Sequence, residues 1–152
     1  MDAERSLRRR YRWAAGWLLL NAGAHLAAHW MFYVSDARID PARRVVVEQM
    51  RAYPIWPSWG VSLWTILCMF SLMYALLLGI FGTGQWLLAR ECESLALRRH
   101  AWRNFMLCGL GAAVMGVSYP VPQALMTLSV VTLLYGAAAL APHGPSRPAW
   151  PG

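Results

Sequence analysis

Three long stretches of the chain carry no charge, and they limit what it can fold into. They lie between Arg12 and Asp36, between Arg51 and Arg90, and between Arg103 and Arg147. Each holds the ~20 apolar residues that cross a ~30 Å hydrocarbon core as a helix, and the last is long enough for two passes. Charged residues make up only 14% of the 152, and hydrophobic ones 58%. Soluble domains carry roughly a quarter charged residues. The expected fold is therefore all-α: an integral membrane four-helix bundle, read as a single domain over residues 1–141. Its spans are placed at about 13–34, 62–89, 102–119 and 121–141. The third and fourth part at "YPVPQ", where Pro120 and Pro122 remove two backbone donors. The Pro- and Gly-rich tail 142–152 reads as disordered.

Arginine sets the orientation. All 14 basic residues are Arg. Arg38, Arg43, Arg44 and Arg51 fall in the loop after the first span. The other ten, among them Arg5, Arg8, Arg10, Arg98, Arg99 and Arg103, fall on the opposite side. Basic residues are retained on the cytoplasmic side. Both termini are therefore expected in the cytoplasm of a bacterial inner membrane, and the net charge of +7 is read as a topology signal, not a nucleic-acid footprint. Trp13, Trp17, Trp86 and Trp102 then fall near the inner interface. Trp30, Tyr33, Tyr53, Trp56, Trp59, Trp64 and Tyr119 fall near the outer one, as aromatic belts do.

The outer loop, residues 35–61, is the one sizeable piece outside the membrane. "DPARRVVVEQMRAY" reads as a short interfacial helix, with Asp40 as N-cap and Pro41 in the first helical position. The arginines before the first span resemble a signal-peptide start. The apolar run continues through Val34, which favours an uncut span. Cys68, Cys92 and Cys108 are odd in number and form no CxxC, so neither a disulfide framework nor thiol-redox chemistry is expected.

Within the first span, Asn21, His25 and His29 recur every four residues and share one helical face. Counted from Trp13 at ~1.5 Å per residue, they lie ~12, ~18 and ~24 Å deep. Ala24 and Ala28 flank that face and allow close helix approach. The outer halves of the other spans offer Ser62, Ser71 and Thr127. A polar pocket is expected there, with Asn21, His25, His29, Ser71 and Thr127 as ligand-binding candidates and the outer loop as its cap. Two other readings of the ladder stay open. An intramembrane His can bond a neighbouring hydroxyl and join two helices. A His pair at i, i+4 can also share a metal ion. A metal needs three or four ligands, and no span contains Asp or Glu, so no metal and no cofactor are expected. The lack of acidic residues also weakens a proton-coupled pump. "GIFGTGQW" lies inside an apolar span and reads as a packing surface, not a phosphate cradle.

Gly23 and His25 precede "EQMRAYPIWPSWGVSLWTILCMFSLM". This arrangement resembles a group of small bacterial membrane proteins with a Gly-x-His first span and a Phe-Ser-Leu second span. The resemblance covers about half the chain. It implies a four-helix membrane fold, assigns no activity, and directs attention to His25, Met50, Arg51, Gly60, Ser62, Trp64, Phe70 and Ser71.

The function expected from the sequence is binding of an apolar or lipid-like small molecule in the outer half. One alternative is a small membrane isomerase or oxidoreductase with His25 as acid or base, since His titrates near neutrality. The other is an accessory subunit in which His25 and His29 are structural. Expected partners are membrane lipid, an apolar small molecule, a second copy of the chain or a membrane partner protein.

Overall fold

A computed structural model describes residues 2–35, 40–118 and 121–142. The Tyr119–Pro120 turn, the start of the outer loop at Asp36 and the tail from His143 onward lie outside the described residues. The chain is all-α, and about 89% of the described residues are helical. Its helices are α1 (Asp2–His29), α2 (Pro41–Ala52), α3 (Leu63–Glu91), α4 (Ser94–Ser118) and α5 (Pro122–Ala139). A π-helical turn, Trp30–Val34, extends α1. Two short strands, β1 (Pro54–Trp56) and β2 (Val61–Ser62), pair antiparallel around a 3-10 turn at Pro57–Trp59. Gly60 closes that turn at φ 65°, a left-handed conformation that side chains resist. The sequence reading lacked both this hairpin and the π-helical turn.

Among the described residues, two helices, α3 and α5, are long and apolar enough to cross a membrane. A soluble core helix passes the same test, but it is buried. On α3 only a narrow stripe is buried, through Ser71, Ala75, Gly82, Gln85 and Ala89. Phe70, Leu77 and Ile80 are at least 60% exposed. Apolar residues on nearly every face suit a helix whose solvent is hydrocarbon. Helices α1 and α4 begin with runs of Arg, before their apolar parts.

The chain divides into two compact units. One comprises Met1–Leu19 and Phe81–Gly152, the other Leu20–Ile80. In the first unit, α4 and α5 pack antiparallel with small residues at the seam. Gly116 faces Leu125, Gly111 faces Leu128, Gly109 faces Thr132 and Gly136 faces Phe105. A Cβ on Gly136 would come within 3.1 Å of the Phe105 ring, so a side chain there requires the ring to give way. The start of α1 and the end of α3 join them, with Leu18 and Leu19 seated on Gly82. Small residues at the seam let the backbones approach and make close van der Waals contact.

Arginines tie this end together. Arg8 donates to the carbonyls of Ala89 (3.0 Å) and Cys92 (2.9 Å) at the C-terminus of α3. Its guanidinium also bonds Glu4 and holds that carboxyl below its ordinary pKa. Arg98 donates to Ala139 (2.7 Å), Ala141 (2.6 Å) and Pro142 (3.2 Å), and Arg10 to Ala137 (2.8 Å). Each places a cation on the orphan carbonyls and negative dipole end of a helix. The N-termini of α1 and α4 and the C-termini of α3 and α5 therefore meet at one end of this unit.

In the second unit, the C-terminal half of α1 runs antiparallel to α3, with Ala22 against Gly79 and His25 against Ser71. Helix α2 starts at Pro41, and the Asp40 carbonyl accepts from the amides of Arg43 (2.8 Å) and Arg44 (3.2 Å). Val45 and Val46 on α2 are exposed.

Candidate functional site

The second unit holds four of the five sequence candidates, with different roles. His25 Nε2 lies 3.1 Å from Ser71 Oγ, and the tautomer decides which one donates. Tyr74, one turn beyond Ser71, meets the His25 ring edge-on at 4.8 Å. Two residues of one α3 face thus fix the imidazole from opposite chemistries, a hydroxyl and a ring. Asn21 sits half-buried one turn before His25.

His29 is different. It is 9% exposed, and its Nδ1 makes no hydrogen bond among the described residues. Its ring stacks on Tyr33 at 5.2 Å, with an interplanar angle of 28°. Tyr33 lies in the π-helical turn, where Ser35 N bonds Trp30 O at 2.9 Å across five residues. The wider turn carries one more residue than an α turn and resets the side-chain register after His29. Such turns recur at functional sites. Beyond Tyr33 lies Trp64 on α3 at 5.1 Å, and Arg51 of α2 sits over the Trp64 ring, also at 5.1 Å. The result is a run of rings from a buried imidazole to an exposed guanidinium. A Trp face attracts a cation by its quadrupole, so this contact anchors α2 to α3.

Thr127 is buried in the first unit, on α5, and its Oγ1 donates to the Gln123 carbonyl at 2.9 Å. It belongs to a different compact unit from the histidines. Among the described residues, no three His, Cys, Asp or Glu side chains are grouped to hold a metal.

Sequence reasoning missed a second polar cluster, in the first unit. Gln85 and Asn104 stand out from the sequence as lone amides in apolar spans, with nothing to pair them. In the structure, Tyr11 hydroxyl donates to Gln85 Oε1. Asn104 Nδ2 donates to the same oxygen (2.8 Å) and to Tyr11 Oη (3.1 Å). Burial raises the Tyr11 phenol, so it stays protonated and able to donate. Tyr135 packs edge-on against Tyr11 at 5.2 Å and is fully buried, yet its hydroxyl makes no hydrogen bond among the described residues. This cluster joins four helices, so it reads as a joint.

No protein-family model, curated protein or solved structure matches the chain.

Proposed function

We propose that the chain is a four-span inner-membrane bundle with both termini cytoplasmic, and that it holds an apolar or lipid-like molecule beside His29 in its outer half. The observation that carries this reading is the buried, unpaired Nδ1 of His29. A buried polar atom without a partner destabilises by ~1–3 kcal/mol. A ligand with a single hydroxyl or carbonyl among its apolar atoms would offset that loss. Tyr33 and Trp64 supply the aromatic wall that such a molecule packs against. Helix α2, with Val45 and Val46 uncovered, lies at the interface as the cap of this site. The four-span topology draws support from the arginine-capped end. Helices α1 and α4 leave it and α3 and α5 return to it, on the side that carries ten of the 14 Arg. A relationship to the small bacterial proteins with the Gly-x-His first span is part of the same proposal.

The test is native mass spectrometry of gently extracted protein beside a His29→Phe variant. Phe keeps the stack on Tyr33 and removes the nitrogen. A co-purified apolar molecule present on the wild type and lost from the folded variant supports the reading. Equal cargo on both proteins, or none on either, overturns it.

One observation favours a second reading, an accessory subunit with structural histidines. The His25–Ser71 bond joins α1 to α3 directly. On that reading His25→Ala lowers the yield of assembled protein, and no ligand is found.

A further inference from the structure

The basic residues at the start of α4 divide into two sets. Arg98 is held by three carbonyls at the end of α5. Its neighbour Arg99 and, one turn on, Arg103 have no hydrogen-bond or ion-pair partner among the described residues. With His100, Leu95, Ala96 and Glu93 they line an open concavity of about 300 Å³. On a helix, positions 99, 103, 106 and 110 share one face. The concavity therefore leads directly onto Met106 and Leu110, each 65% exposed.

We propose that this concavity binds the headgroup of an anionic phosphoglyceride, with an acyl chain lying along Met106 and Leu110. Arg99 and Arg103 grip the phosphate, since guanidinium matches phosphate oxygens in a bidentate fork. Glu93, the one carboxylate in the lining, accepts from a headgroup hydroxyl, which selects a glycerol head over a choline head. The apolar continuation distinguishes a lipid from free phosphate, which has nothing to place on Met106 and Leu110. The site rests on the membrane reading above but is independent of the His29 ligand.

The experiment titrates the full chain in neutral detergent with phosphatidylglycerol, phosphatidylcholine and glycerol phosphate, read by native mass spectrometry. Each Arg at a membrane surface strengthens anionic binding about five-fold. Arg99→Gln/Arg103→Gln is therefore expected to weaken phosphatidylglycerol binding about 25-fold. Arg43→Gln/Arg44→Gln on α2, which removes the same charge elsewhere, is expected to leave it unchanged. Equal losses in the two variants overturn the site, as does equal affinity of the wild type for phosphatidylcholine or for glycerol phosphate. A photoactivatable phosphatidylglycerol gives an arm that needs no variant. Crosslinks within residues 93–110 of the wild type support the proposal, and crosslinks confined to other segments overturn it. Extraction of the wild type by alkaline carbonate overturns the membrane reading itself. A firmly integral protein with unchanged lipid binding overturns this site alone.

Discussion

Replacing Asn104 by Leu tests whether the buried amide cluster is a joint. Leu keeps the same branched skeleton of four side-chain heavy atoms and has no polar atom. The substitution removes two bonds, to Gln85 Oε1 and to Tyr11 Oη. Gln85 Oε1 still accepts from the Tyr11 hydroxyl, so the Tyr11 donor keeps its partner. Side-chain bonds between membrane helices average ~0.6 kcal/mol and reach ~1.7, so the expected loss is ~1–2 kcal/mol. Gln85→Leu is worse, because it strips the acceptor from both Tyr11 and Asn104. With donors left unpaired in a buried site, a loss of ~2–3 kcal/mol is expected. In the double variant the shared bond is counted once, so its loss falls short of the sum by ~1 kcal/mol. The assay is reversible unfolding by sodium dodecyl sulfate in mixed micelles, followed by circular dichroism. Additivity within ~0.3 kcal/mol, or a neutral Asn104→Leu, would refute the joint.

The same cluster makes an opposite prediction for Tyr135. Its hydroxyl is buried and unbonded, so Tyr135→Phe keeps the edge contact with Tyr11 and raises stability by up to ~1 kcal/mol; a clear loss shows that the hydroxyl has work in the folded state. Arg98→Gln removes the cation and most of the donors from the end of α5, with an expected loss of ~1–2 kcal/mol in the same assay. Arg98→Lys recovers about half of it, because a point charge remains without the fork. Two glycines one residue apart on α3 separate packing from propensity. Gly82→Val drives a side chain into Leu18 and Leu19 and loses ~1–3 kcal/mol, whereas Gly84→Ala meets nothing within 4 Å and gains up to ~1 kcal/mol.

The helical architecture was legible because its signals are local. Uncharged runs located the apolar helices, and Asp40–Pro41 located the start of α2 to the residue. The His25–Ser71 pair was half legible: a four-residue repeat gives a face, and a serine on the next span gives a candidate. Their 3.1 Å bond depends on the register of two helices, which no local pattern encodes. The sequence placed Thr127 with the histidines by depth alone, and depth does not say which helices share a compact unit. Arg8 and Arg98 read as topology signals for a sound reason, since Arg count sets orientation. Their second role, capping α3 and α5, depends on carbonyls more than forty residues away in sequence. The hairpin at β1 and β2 was hidden by its length and by two prolines, with Gly60 as its only cue.

The four-span account is tested most directly by the sidedness of two thiols in one chain. Cys68 and Cys108 are replaced by Ala, Cys92 between α3 and α4 is kept, and Val46→Cys marks α2. A membrane-impermeant maleimide applied to the outer face of intact inner-membrane vesicles of native orientation is expected to label position 46. Cys92 is then labelled only after the vesicles are opened. Labelling of Cys92 in sealed vesicles, or protection of both positions until opening, would contradict the account.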